Sequence, residues 1–196
     1  MEIIFRQMRH TFRTKCSRLH LLAGGLALVL SLAPLGCKSE PKTVKVAVEE
    51  PEAEAPPLAS SVRTSDARRG GQLLTGFYGI EANSWRWTAK QFSVLLRTPA
   101  AAAQSGAALS IAFTIPQVAI DHSGTIMLSA SVEGTPLKPE TYSKSGTYEY
   151  KRDVPAAALS KDAVRIQFSL DKAIPPTGAE KRELGIIVAS VGLQAQ

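Results

Sequence analysis

Cysteine and histidine are almost missing from this chain, and several chemistries are missing with them. Of 196 residues only Cys16 and Cys37 are cysteines. Cys16 falls inside an N-terminal export signal, described below, so Cys37 alone stands in the mature sequence. No intrachain disulfide can form there and no cysteine-rich zinc site can be assembled. The exported part must therefore hold together by its hydrophobic core, for which the roughly 125 residues from 72 onward suffice. Histidine occurs three times, but only His122 lies beyond the signal. It sits in a turn-like stretch, Asp121-His122-Ser123-Gly124. One histidine beside one aspartate is less than a metal site or a hydrolytic triad needs, and His122 reads as a solvent-exposed turn residue. There is no G-x-S-x-G, no P-loop, no glycine-rich dinucleotide turn and no His-x-x-x-His. No cofactor is expected. Internal repeats are absent too.

Excess charge is also scarcer than the total suggests. The chain has 23 Lys+Arg and 17 Asp+Glu, but residues 1–36 hold five of the bases and one acid, leaving 18 − 16 = +2 on the rest. The basicity belongs mostly to the signal, and a nucleic-acid partner loses its main support.

What is present at the N-terminus is a charged and then apolar pattern. Arg6, Arg9, Arg13, Lys15 and Arg18 precede LLAGGLALVLSLAPLGC at residues 21–37. A basic n-region followed by about 15 apolar residues is the layout of a secretory signal. Gly36-Cys37 resembles the lipobox of bacterial lipoproteins, although that family favours leucine where this chain has Pro34. The resemblance implies diacylglycerol on the Cys37 thiol, cleavage before it and acylation of the new N-terminus. An uncleaved anchor is the competing reading, but the run is short of the ~20 residues a bilayer requires. An ordinary signal cut elsewhere would leave Cys37 a plain thiol. Lys38, following the lipidated cysteine, favours the outer membrane by resemblance to proteobacterial sorting.

Residues 37–71 read as a lipidated cysteine and a disordered tether. Lys38 to Gly70 has four prolines, no aromatic residue, and six acids against six bases. Such a composition buries too little to fold, and a passive spacer is favoured over a tether that threads the cell wall.

From Gln72 to residue 196 the pattern changes. Eight segments rich in β-branched and aromatic residues recur at 73–81, 84–89, 92–98, 108–115, 125–134, 147–153, 163–171 and 184–193. Leu109, Ile111, Phe113 and Ile115 recur at every second position and share one face, as do Ile126, Leu128, Ala130 and Val132, and Val164, Ile166, Phe168 and Leu170. This period of two predicts strands with one buried face. Only 155–159 reads as a turn of helix. Roughly eight antiparallel strands and no long helix predict an all-β sandwich with jelly-roll topology.

Two clusters stand out as candidate sites. Trp85 and Trp87 flank Arg86 on a strand, so both indoles share a face. With Tyr78 they could stack on sugar rings; the commoner role is for one or both indoles to fill the core of a small sandwich. In the second cluster, Glu180 to Gly185, Arg182 or Glu183 could bind a hydroxyl-rich or anionic ligand. Their other role is to pair with Arg86 or Glu81 across a loop end, a contact that adds less than about 1 kcal/mol at a surface. Glu81, Glu133, Glu140, Glu149 and Asp153 are available as paired carboxylates for glycoside hydrolysis, and all are equally explained as solvated strand ends.

GFYGIE (76–81), RWT (86–88), YEYKRDVP (148–155) and RELGI (182–186) resemble a small β-sandwich module. It occurs in uncharacterised bacterial lipoproteins and beside some bacterial glycosyltransferases. Glu180 departs from it, since the module commonly has aspartate there. The resemblance implies a jelly-roll sandwich of the galactose-binding-like and carbohydrate-binding-module-like kind, with no settled activity. Three expectations follow: a non-catalytic module binding glycan or envelope polysaccharide through Tyr78, Trp85, Arg86, Trp87 and Arg182; a structural lipoprotein docking onto an envelope protein; or, least supported, an enzyme.

Overall fold

The computed structural model describes residues 56–196. The signal at 1–36, the lipidation expected at Cys37 and the tether as far as residue 55 lie outside the described residues. Among the described residues there are ten antiparallel strands: β1 (Ser61–Arg63), β2 (Leu73–Glu81), β3 (Trp85–Arg97), β4 (Ala107–Ile115), β5 (Ile126–Val132), β6 (Thr135–Pro136), β7 (Glu140–Tyr142), β8 (Gly146–Val154), β9 (Ala163–Leu170) and β10 (Ile187–Ala195). The three alternating segments are strands β4, β5 and β9, with their apolar positions buried.

The strands form one sheet curled into two layers. One layer runs β5–β9–β3–β2 with β6 and β7 beside β5; the other runs β1–β10–β4–β8. β3 joins them. Its start pairs with β10 through Trp87↔Ile187 and Arg86↔Val188, and its end pairs with β9 from Gln91↔Ser169 to Arg97↔Ala163. The chain crosses between layers from β1 to β2, β3 to β4, β4 to β5, β7 to β8, β8 to β9 and β9 to β10, which is jelly-roll interleaving. Between the layers Phe92 stacks on Phe168 with centroids 4.9 Å apart, and Phe77 meets Phe92 edge-on at 5.3 Å, the offset and T-shaped geometries that aromatic quadrupoles favour.

Two departures from the sequence reading shape the molecule. The segments at 84–89 and 92–98 are a single 13-residue strand, while β1, β6 and β7, each of two or three residues, are too short to show a period. β1 lies within the stretch expected to be tether. Val62 is buried there, and the strand pairs Ser61, Val62 and Arg63 with Gly192, Val191 and Ser190, covering an edge of β10 that would otherwise offer unpaired backbone groups. The buried side chain of Gln72 holds the approach to β1: it accepts from Ala59 N (3.0 Å) and donates to the carbonyls of Ala59 (3.0 Å) and Leu95 (2.7 Å).

Among the described residues helix is confined to short pieces. The expected turn is a 3-10 turn at Ala156–Leu159; a second lies at Ala67–Gln72, and α1 (Ala102–Ser105) and α2 (Gln117–Ser123) are additional. His122 belongs to the last turn of α2 rather than to a free turn, and it is exposed.

Two motif glycines have a steric reason. Gly76 has φ +73°, and a Cβ there would stand 2.0 Å from the Gln91 carbonyl oxygen. At Gly185 a Cβ would stand 2.8 Å from the Ala89 carbonyl oxygen and 2.9 Å from Thr88 Oγ1. Both sit where strand β3 bulges between Thr88 and Ser93, and only hydrogen fits.

Candidate functional site

The residues expected to bind ligand gather around the β2–β3 hairpin, but their polar groups are largely engaged by the chain itself. Arg86 Nε donates to the Thr64 carbonyl (2.7 Å) and its Nη1 to the Tyr78 carbonyl (2.8 Å). Tyr78 Oη donates to the Glu183 carbonyl (2.8 Å). Arg182 holds Glu81 (2.7 Å) and grips both carboxylate oxygens of Glu180 (3.0 and 2.8 Å), with its guanidinium 5.3 Å from the Tyr78 ring centroid. The Arg182 guanidinium, with the backbone N–H groups of Arg182 and Lys181, brings the half-buried Glu180 carboxyl down to about 2. Arg182 thus pairs with Glu81 across the loop end, whereas Arg86 fastens backbone and Glu183 accepts from the backbone N–H of Lys90 (2.9 Å). Trp85 and Trp87 are half-buried, and the buried Nε1 of Trp85 has no hydrogen-bond partner among the described residues.

A different surface is better shaped to receive a ligand. The outer face of the β5–β9–β3–β2 layer carries a groove of about 390 Å³. Register builds its floor. Ser131 lies opposite Gln167, Gln167 opposite Ser93, and Ser93 opposite Thr75. One step along, Ser129 lies opposite Ser169 and Ser169 opposite Gln91. At about 4.8 Å between strands, the longer row spans about 14 Å. Thr75 Oγ1 and Ser93 Oγ are hydrogen-bonded at 2.7 Å. Gln91 and Gln167 are exposed, and their amides have no side-chain hydrogen bond among the described residues. An amide offers two donors and an acceptor, and a hydroxyl offers both. The floor is thus a neutral field of donors and acceptors. Every one of these side chains points away from the core because its neighbours in the strand, Phe92, Val94, Phe168 and Ala130 among them, point into it.

Toward the end of β3 the same face continues into a second depression of about 470 Å³, lined by Leu95, Glu133, Lys161, Ala163, Arg165 and Gln167. Glu133 pairs with Lys161 and accepts from the backbone N–H of Arg165 (2.7 Å), contacts that hold its carboxyl below the ordinary value. A third cleft, about 540 Å³, lies beyond it between Arg97, Asp162 and Pro57.

The remaining carboxylates considered as a catalytic pair are dispersed. Glu140 pairs with Arg152 (2.6 Å), Glu81 with Arg182, and Glu149 and Asp153 are exposed along β8. Among the described residues no three His, Cys, Asp or Glu side chains are grouped to hold a metal ion.

No protein-family model and no curated protein matches this chain. Among solved structures the fold is similar to TmCBM27, a carbohydrate-binding module that recognises mannan: identity is 12%, covering 71% of this chain and 98% of that one, with a TM-score of 0.43. It is also similar to the module CBM36 in complex with calcium and xylotriose, at 10% identity over 68% of this chain and 98% of that one, TM-score 0.38. A family GH115 4-O-methyl-α-glucuronidase specific for decorated arabinogalactans shares 11% identity over 72% of this chain, TM-score 0.44, and this chain spans 18% of its length. Likenesses this distant leave the functional argument to the residues of the groove.

Proposed function

We propose that this chain is a lipid-anchored, non-catalytic module of the outer membrane that binds carbohydrate through the groove on its β5–β9–β3–β2 layer. The register-paired floor of Thr75, Gln91, Ser93, Ser129, Ser131, Gln167 and Ser169 carries the reading. Sugar hydroxyls donate and accept at once, and this floor answers in kind without imposing a charge. An open groove admits a length of polymer, where an enclosed cavity would take only a small molecule. The floor includes no carboxylate, and glycoside hydrolysis ordinarily draws on a pair of them. The pattern of residues 6–37 supports the anchor, with the acyl chains on Cys37 and the sequence to residue 55 as spacer.

The test is calorimetric titration of the full chain, in detergent, against a panel of neutral and acidic oligosaccharides. Replacing Gln91 and Gln167 by alanine is expected to weaken binding about fivefold to tenfold each, since a hydrogen bond contributes about 1 kcal/mol. Trp85→Ala is expected to leave affinity unchanged once stability is accounted for. Binding that survives the double glutamine variant and disappears with Trp85→Ala would move the site to the β2–β3 hairpin. Capture of one stoichiometric envelope protein, with no oligosaccharide binding, would favour the docking role.

A further inference from the structure

The groove changes character along its length. Following β3 and β9 together, the outward pairs run Gln91–Ser169, Ser93–Gln167, Leu95–Arg165 and Arg97–Ala163. The first two are neutral; the last two each bring an arginine. Seven positions of strand cover about 20 Å, so one extended ligand can lie over both ends. Arg97 and Arg165 occupy diagonal positions on adjacent strands, where like charges disfavour one another. Both are exposed, and neither guanidinium has a hydrogen bond or ion pair among the described residues. The nearby acids do not supply one. Glu133 is taken by Lys161 and by the backbone of Arg165, and Asp162 lines the cleft beyond Arg97 without pairing with it. With Lys161 and Glu133 cancelling, two arginines face one aspartate. By contrast Arg86, Arg152 and Arg182 are each held by two or more hydrogen bonds within the fold.

We infer that the groove selects an anionic polysaccharide, its neutral floor gripping hydroxyls while Arg165 and Arg97 take a carboxylate on a sugar unit a few places along the same chain. This rests on the carbohydrate reading of the groove. The forked donors of arginine match a carboxylate in two parallel hydrogen bonds, and both side chains are open to a ligand without breaking any internal contact.

The experiment compares pairs of tetrasaccharides that share a backbone and differ at C6, one member neutral and one a carboxylate: galacturonate tetramers free and fully methyl-esterified, β-1,4-linked glucose and its C6-oxidised form, and β-1,4-linked mannose and mannuronate. Affinities of the full chain in detergent are measured at low and at high salt. At low salt at least one acid is expected to bind about tenfold to a hundredfold more tightly than its neutral partner. That preference should shrink as salt is raised and vanish in the Arg97→Gln/Arg165→Gln double variant. Both positions are exposed, so the variant is expected to fold, which its unchanged melting temperature checks. Equal affinity for the two members of every pair overturns this inference and leaves the carbohydrate reading intact. The inference also fails if an acid preference persists in the double variant. Failure of every tetramer, neutral or acidic, to bind overturns both.

Discussion

Arg86 separates a structural role from a ligand-binding one, because the two predict opposite results from one substitution. Its guanidinium ties the carbonyl of Thr64, just past β1, to the carbonyl of Tyr78 on β2 at 2.7 and 2.8 Å, while its own backbone pairs with Val188 on β10. Four elements meet at one residue. Hydrogen bonds from a charged donor contribute about 1.5–3 kcal/mol each, so the two sum to about 3–6 kcal/mol. Thr64 is buried, so part of that returns chiefly when the carbonyl of half-buried Tyr78 is rehydrated and a guanidinium no longer has to be desolvated. Arg86→Met, which keeps most of the aliphatic stem, is therefore expected to cost about 2–4 kcal/mol. For a domain of this size that is a fall in melting temperature of about 8–15 °C. Arg86→Lys can reach one carbonyl but not both, and should lose about half as much. Thermal unfolding followed by circular dichroism on the Cys37→Ser protein reads both values. A methionine variant within about 2 °C of wild type would refute the structural role. Equal losses for lysine and methionine would refute the two-carbonyl geometry.

Gly76→Ala is expected to be more damaging than any groove substitution. An alanine at positive φ costs about 1–2 kcal/mol, and displacing the Gln91 carbonyl from 2.0 Å disrupts the β2–β3 ladder, for a total above about 3 kcal/mol; a denaturation midpoint near that of wild type would contradict the close approach. Glu180 titrates at about 2 when folded against an ordinary 4.5, so its contribution is complete above pH 4.5 and is lost as the pH falls from 4.5 to 2. Over that window the melting temperature of wild type should drop more steeply than that of Glu180→Gln, and parallel curves would show that the Arg182 grip adds nothing. A clickable fatty acid fed to cells should label the wild-type chain and not Cys37→Ser; label on the serine variant would remove Cys37 as the lipidated residue.

The strands were legible and the groove was not, for one reason. A strand with a buried face writes a local period of two into the sequence, which is why Leu109, Ile111, Phe113 and Ile115 could be assigned without their partners. β1 has only Val62 to bury, too little to register against the prolines and charges around it. The break expected near Ala89–Gln91 is a bulge in a continuous strand, and only the register shift against β2 reveals it. The groove depends wholly on register: Thr75, Ser93, Ser129 and Gln167 are scattered along 93 positions and become one surface because β2, β3, β5 and β9 are neighbours. Conversely, Tyr78, Arg86 and Arg182 looked available because arginine and tyrosine suit ligands as well as carbonyls, and where unpaired carbonyls lie is a property of the folded backbone. One signal was nonetheless present. The exposed positions of β8 are Thr147, Glu149, Lys151 and Asp153, charges and a hydroxyl that keep a solvated face wet. Over the groove the outward positions are Ser129 and Ser131 of β5, Gln167 and Ser169 of β9, and Gln91 and Ser93 of β3, with Met127 and Arg165 flanking them. Solvation alone is served as well by charge, so two consecutive outward positions that avoid it on each of three neighbouring strands point to a face kept for something other than water.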